Sequence, residues 1–323
     1  MTKRKPHLSV QTDLSDLFTE VANDHVKRGY PIQKALTTIV KQMKASGLRP
    51  RTINDYELHV NHFAEVTKVT YIEEVHADHI YEWLSSMNVN NQTKLTRLKC
   101  LKAFLNRCID NGWITSNFWK SIKVKVDNPV KEGATDKEIN ILLTMLDLTR
   151  FTELRDAAAV LLMYQTGVRV GTLTELKNKH VNLDEKILRI DGGLIKNHQP
   201  IYLPFDNVLE RLLDALIQQN EVIRSKYRQA NSYLFVTKTG TKIASDYNNH
   251  NNIMKRINKH ARDYGLKNIN PHALRRGFAK NLLRKGANIA LISKALGHSD
   301  IGVTTRYLHL DKEEVAESLR NFL

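Results

Sequence analysis

The chain has 323 residues, with 49 Lys and Arg against 34 Asp and Glu, a net charge of +15 and 41% hydrophobic residues. That length exceeds one ordinary hydrophobic core, so two domains are expected, and no stretch reaches the ~18 apolar residues that a membrane helix requires. The positive excess is spread, with 19 basic against 12 acidic residues up to residue 125 and 30 against 22 beyond it. Both parts therefore suit a polyanion, nucleic acid ahead of an anionic membrane surface.

The start, MTKRKPHLSVQTDLSD, is basic but leads into no apolar run, so it does not read as a secretory signal. Residues 1–35 are an extension of no assigned role. Residues 36–125 read as an all-helical domain. In LRPRTINDYELHVNHFAEV, Thr52 is placed as the N-cap of an apolar-periodic helix, just after Arg51. Further on, Leu98, Leu101, Leu105 and Cys108 recur at 3-4-3 spacing, the pattern of an amphipathic helix. Lys94, Arg97, Lys99 and Lys102 are the densest basic cluster of this half. With Arg51 and Thr52 they are the candidate DNA contacts, although such a run on its own is ordinarily just a solvated helix face.

Cys100 and Cys108 have no Cys-x-x-Cys partner and read as thiols of a reducing compartment, so a cytoplasmic location is expected. The pairs His59/His62 and His76/His79 have His-x-x-His spacing but no accompanying cysteines, and no metal is expected.

Residues 126–134 hold a proline, a glycine and charges without periodicity, as a linker would. Thr135 followed by Glu138 is a capping-box start for the domain at 135–323. This second domain reads as mostly helix with one β interruption. KILRI (186–190) and PIYLP (200–204) are short β-rich runs joined by a turn-rich segment that includes Lys196. Asn270-Pro271 opens a helix through HALRRGFAKNLLRK, with Gly286 as its stop. The last stretch, 311–323, places Val315, Leu319, Phe322 and Leu323 on one apolar stripe. The expected fold class is mainly α with a small β-sheet.

Six residues on separate segments carry chemistry suited to a phosphodiester: Arg169, Lys196, His272, Arg275, His298 and Tyr307. In-line attack builds negative charge on the non-bridging oxygens, which fixed cations stabilise. Arginine does this with a planar fork that stays charged. A tyrosine can form a covalent phosphodiester adduct, and other groups can protonate the leaving oxygen. Taken singly, each residue has an ordinary reading: a solvated arginine or lysine, a structural histidine, a tyrosine that packs its ring.

The ordered set is similar to the tyrosine recombinase (lambda-integrase-like) family. The carrying segments are Thr166-Gly167-Val168-Arg169, Lys196 eight residues before Pro204, His272-Ala273-Leu274-Arg275 with Phe278-Ala279, Leu296-Gly297-His298, and Tyr307 nine residues later. The first half resembles the helical core-binding domain of these enzymes by helix order and spacing and not by fixed residues. The resemblance implies a site-specific recombinase or integrase working through a 3′-phosphotyrosyl intermediate, with no cofactor. It also implies double-stranded DNA as partner, a homotetramer in the synaptic complex, accessory DNA-binding proteins, and a role for a mobile element. Tyr307 would be the nucleophile, Arg169 and Arg275 the phosphate clamp, and Lys196 the general acid. His272 would move the tyrosine proton, and His298 would hydrogen-bond the phosphate.

The segment beyond the tyrosine would pass to a neighbouring protomer, or pack on its own domain. Two positions depart from the family pattern. Thr172 stands where an acidic residue is usual, with Glu175 a turn away as its expected substitute, and Arg276 stands where histidine is frequent. The alternative readings are a type IB topoisomerase-like enzyme and a non-catalytic basic DNA-binding protein.

Overall fold

The structure is a computed structural model that describes residues 29–127, 131–195, 199–243, 252–298, 300–308 and 320, with Arg306 and Tyr307 described by their backbone alone. It divides into two compact units, Met1–Asn128 and Pro129–Leu323.

The first unit contains helices α1 (Ile32–Ala45), α2 (Pro50–Thr67), α3 (Ala77–Ser86) and α4 (Asn91–Asp110). Helix α1 begins four residues before position 36, and Ile32 and Ala35 are already buried in the core, so the packed unit starts earlier than the composition indicates. Helix α2 starts at Pro50 with Arg49 as N-cap. Thr52 therefore lies inside the first turn and is not the cap. Proline takes the first helical position because its missing N–H would have no partner there. The core gathers Trp83, Phe63, Phe104 and Trp119, the last from the segment after α4. Trp119 donates to Asn106 Oδ1 at 2.8 Å, which satisfies its indole N–H as burial requires.

The second unit is built around α6 (Phe151–Thr166), whose residues 157–164 are buried on every side. A helix apolar all round belongs at the centre of its domain. It packs against α5 (Asp136–Met145), α8 (Asn207–Tyr227), α9 (Asn252–Asp263) and α10 (Pro271–Arg284). Thr135 caps α5 with the reciprocal bonds of a capping box: Glu138 N–H donates to Thr135 Oγ1 at 3.2 Å, and Glu138 Oε2 accepts from Thr135 N–H at 3.1 Å.

After α6 comes the single turn α7 (Val170–Leu173), then an antiparallel sheet of β1 (Val181–Asn182), β2 (Ile187–Ile190) and β3 (Ile201–Pro204). Leu188 pairs with Leu203 and Ile190 with Ile201, which turns Leu188, Ile190 and Leu203 into the core. Short helices α11 (Ile289–Ala295) and α12 (Ile301–Leu308) close the unit over Phe278 and Ala279 of α10. The expected terminal helix at 311–323 lies outside the described residues, Arg320 excepted.

Candidate active site

Asn270 caps α10 by accepting from the Ala273 N–H at 2.9 Å, and Pro271 takes the first position. This sets His272 in the opening turn and Arg275 one turn on, facing inward and only 5% exposed. A buried guanidinium must be compensated. Here its Nη1 donates to the Gly167 carbonyl and its Nη2 to the Leu296 carbonyl. Gly167 is the C-cap of α6 and Leu296 the C-cap of α11. Helix ends leave carbonyls without intrahelical partners, and two such ends converge on one arginine. Gly167 occupies left-handed space at φ 64, where a Cβ would run into the Phe278 ring and lie 3.0 Å from Leu296 Cδ2. The Thr-Gly-x-Arg segment needs its glycine for that reason.

Arg275 Nη2 also stands 3.1 Å from His298 Nε2. A guanidinium can only donate, so Nε2 accepts and the ring proton resides on Nδ1. From there it reaches Thr304 Oγ1 at 2.8 Å, on α12. Burial first, then the charges of Arg275 and Arg169, push the His298 pKa down to about 4. The imidazole is therefore neutral at physiological pH, with its tautomer set by its neighbours.

Arg169 is the N-cap residue of α7, and with Arg275 and Thr172 it lines a narrow crevice against Ile190, Ile195 and Ile201 of the β2–β3 hairpin. Lys196, which falls between β2 and β3 in sequence, lies outside the described residues. His272 is exposed at the start of α10. Partial desolvation and the charges of Arg276, Arg275, Lys131 and Arg169 hold its pKa below the ordinary histidine value. The charges of Arg169 and Arg275 thus bear on both histidines. Tyr307 sits on α12, three residues after Thr304 and one before Leu308, both of which are buried. The Thr172 hydroxyl donates to the Leu194 carbonyl at 3.3 Å. Glu175 pairs its carboxylate with Lys242 at 2.6 Å.

In the first unit the basic cluster on α4 is not one face. Arg97 and Lys99, two residues apart, point about 200° apart around the helix. Lys99 is exposed, Lys94 and Arg97 are half-buried, and Lys102 donates from Nζ to the Ile122 carbonyl at 2.6 Å, bracing the segment that follows the helix. Arg51 is exposed and ion-paired with Asp55 at 3.3 Å, and Thr52 beside it is exposed. The histidine pairs serve structure: His62 Nδ1 accepts from the Trp83 indole at 2.8 Å, and His79 Nδ1 from the His76 N–H at 3.2 Å. No cluster of three metal-ligating side chains occurs among the described residues.

A second basic surface is not evident from the sequence. Lys255, Arg256, Lys259, Arg262 and Lys267 line a concavity of about 800 Å³ that ends at Asn270, the cap of α10. Its signal is the run KRINKHARDYGLK, which the mixed spacing of its apolar residues disguises. Asp156, fully buried on α6, holds this surface from within, accepting from Arg256 Nε and lying 3.0 Å from His260 Nε2.

A family model described as the phage integrase family matches residues 134–314, more than half of the chain. The chain belongs to the phage integrase family. Tyrosine recombinase XerC of Histophilus somni (strain 2336) is 29% identical over 223 residues, 68% of this chain and 71% of that protein. XerC of Thermodesulfovibrio yellowstonii is 25% identical over 290 residues, 87% of this chain and 93% of that one. Among solved structures, the Tn1549 transposon integrase in complex with transposon right end DNA superposes with a TM-score of 0.71 at 16% identity, covering 90% of this chain and 99% of that one. A lambda integrase dimer bound to a core site gives 0.69 at 16% identity, covering 92% and 83%. These two likenesses establish the shared two-domain fold. This integrase is accordingly a tyrosine-type site-specific DNA recombinase.

Proposed function

We propose that Tyr307 is the nucleophile, and that Arg169, Lys196, His272, Arg275 and His298 assemble around the scissile phosphate with it. The observation that carries this reading is the Arg275 guanidinium. It is held by the Gly167 and Leu296 carbonyls and by His298, so three separated segments of the chain meet at one cation.

In the first step the Tyr307 phenolic oxygen attacks phosphorus. The bond from phosphorus to the 5′-oxygen breaks, and a 3′-phosphotyrosyl bond forms. The phenol, with a pKa near ~10 in water, gives its proton to His272, whose pKa is held below the ordinary histidine value by burial first and then by its cationic neighbours. Lys196 delivers a proton to the departing 5′-oxygen. Arg169 and Arg275 donate to the non-bridging oxygens as charge builds there. His298, neutral, is oriented by Arg275 and Thr304 beside that phosphate. Attack by a 5′-hydroxyl of another duplex reverses the step and completes the strand exchange.

The concave surface of α9 and the exposed Lys99 of α4 supply phosphate contacts that position a duplex without reading its bases. Units 36–125 and 135–323 would then act as core-binding and catalytic domains. Exchange between two duplexes calls for four such sites. A homotetramer joined by the apolar stripe of the terminal segment is the assembly that fits, with integration or excision of a mobile element as the outcome.

The test uses a nicked duplex carrying a half-site selected by this protein from a random-sequence pool. The wild-type chain should accumulate a covalent protein–DNA adduct. Tyr307→Phe should bind the same duplex and form none. An adduct that survives the substitution removes Tyr307 from its role.

A further inference from the structure

The chain segment that opens the second unit is fastened along the catalytic helix. The Ala134 N–H donates to the Ala273 carbonyl at 2.9 Å, beside His272. Gly133 and Gly277 meet backbone to backbone: a Cβ on Gly133 would lie 2.7 Å from the Gly277 nitrogen, and one on Gly277 would overlap the Ala134 carbonyl oxygen. Two glycines permit that approach where any side chain would forbid it. Arg276, directly after the buried Arg275, reaches back with Nε to the Glu132 carbonyl at 2.9 Å. Asn268, just before the helix, adds a bond from its N–H to Glu138 Oε1 at 2.9 Å. Lys131, the exposed first described residue of this strap, has an ammonium that acts electrically on His272.

We infer that Arg276 is a positioning residue for strand cleavage: by gripping the Glu132 carbonyl it holds residues 131–134 against α10, so that Lys131 stands at the His272 end of the helix as a further cation for the DNA phosphate. The inference rests on the active site assigned above. The donor is Nε, a position that a glutamine amide nitrogen can also occupy, so the grip depends on the hydrogen bond and not on the charge. Lysine suits position 131, where a flexible stem carries a point charge to a phosphate that arrives only with the duplex.

The experiment is single-turnover cleavage of the nicked half-site duplex at saturating protein, with full-length Arg276→Ala, Arg276→Gln, Lys131→Gln and the double variant Arg276→Ala/Lys131→Gln. Thermal unfolding of each shows which remain folded. Lys131→Gln should slow adduct formation about tenfold, the size of one charge-assisted hydrogen bond. Arg276→Ala should slow it by a similar factor. The double variant should be no slower than Arg276→Ala, since residues that act through one another do not add. Arg276→Gln, which restores a donor to the carbonyl without the charge, should recover most of the rate. Multiplying losses in the double variant would overturn the inference, as would wild-type cleavage by Arg276→Ala or Lys131→Gln. Failure of the wild-type chain to form any adduct would instead overturn the active-site assignment on which it rests.

Discussion

His298 Nδ1 lies 2.8 Å from Thr304 Oγ1 while its Nε2 faces Arg275, so one neutral imidazole ties the buried arginine of α10 to the helix that carries Tyr307. Thr304 is fully buried, and its hydroxyl is the acceptor that keeps the ring proton on Nδ1. Thr304→Val preserves shape and removes that acceptor. An orphaned buried donor costs about 1–3 kcal/mol, so adduct formation should fall roughly 10- to 100-fold while duplex affinity holds. Thr304→Ser should recover most of the loss. Equal rates for the valine and wild-type chains would show that the tautomer does not matter.

The depressed histidines set a direction for acid sensitivity. His298 titrates near 4 when folded and near the ordinary value of 6.5 when unfolded, and His272 is also lowered. Between those pH values the unfolded chain binds more protons, so stability is full above about 6.5 and declines as pH falls toward 4. The urea midpoint should drop across that window. His298→Gln should flatten the decline, whereas a steeper one would reverse the sign assigned here.

Gly167→Ala should destabilise the second unit by about 1–3 kcal/mol, because the left-handed backbone and the Phe278 ring both exclude a methyl group. Its carbonyl holds Arg275, so cleavage should decline with stability. Urea unfolding and adduct yield on the same preparations give the two readings.

Charge removal separates binding surfaces from braces. Changing Lys255, Lys259 and Arg262 together to Gln should weaken duplex binding and flatten the plot of log affinity against log salt by about 0.9 for each phosphate no longer neutralised. Lys102→Met should leave that slope unchanged and lower the unfolding temperature, since its ammonium serves the Ile122 carbonyl. A slope altered by Lys102→Met would return this lysine to the DNA face.

Much of the architecture is legible in the sequence because its signals are local. The capping box at Thr135, the Asn270-Pro271 start and the two β runs around Lys196 each depend on neighbours in sequence, and each stands where those neighbours place it. The start of α2 misleads because Thr52 is a good cap in isolation, and Pro50 outranks it only through its missing N–H. The α4 cations look like one cluster because counting charges ignores the helical turn between Arg97 and Lys99. The grip of Arg275 on two helix ends, the role of Thr304 and the closeness of Gly133 to Gly277 join residues far apart in the chain or depend on side-chain direction, which no spacing rule reveals.

Asp156 has a mechanical consequence. It engages both Arg256 and His260, four residues apart on α9, from the fully buried interior of α6. A cylinder keyed at two points along one side cannot roll about its own axis. The angular setting of Lys255, Lys259 and Arg262 is therefore locked in advance, so on the proposed function it is the nucleic acid that would turn to meet them.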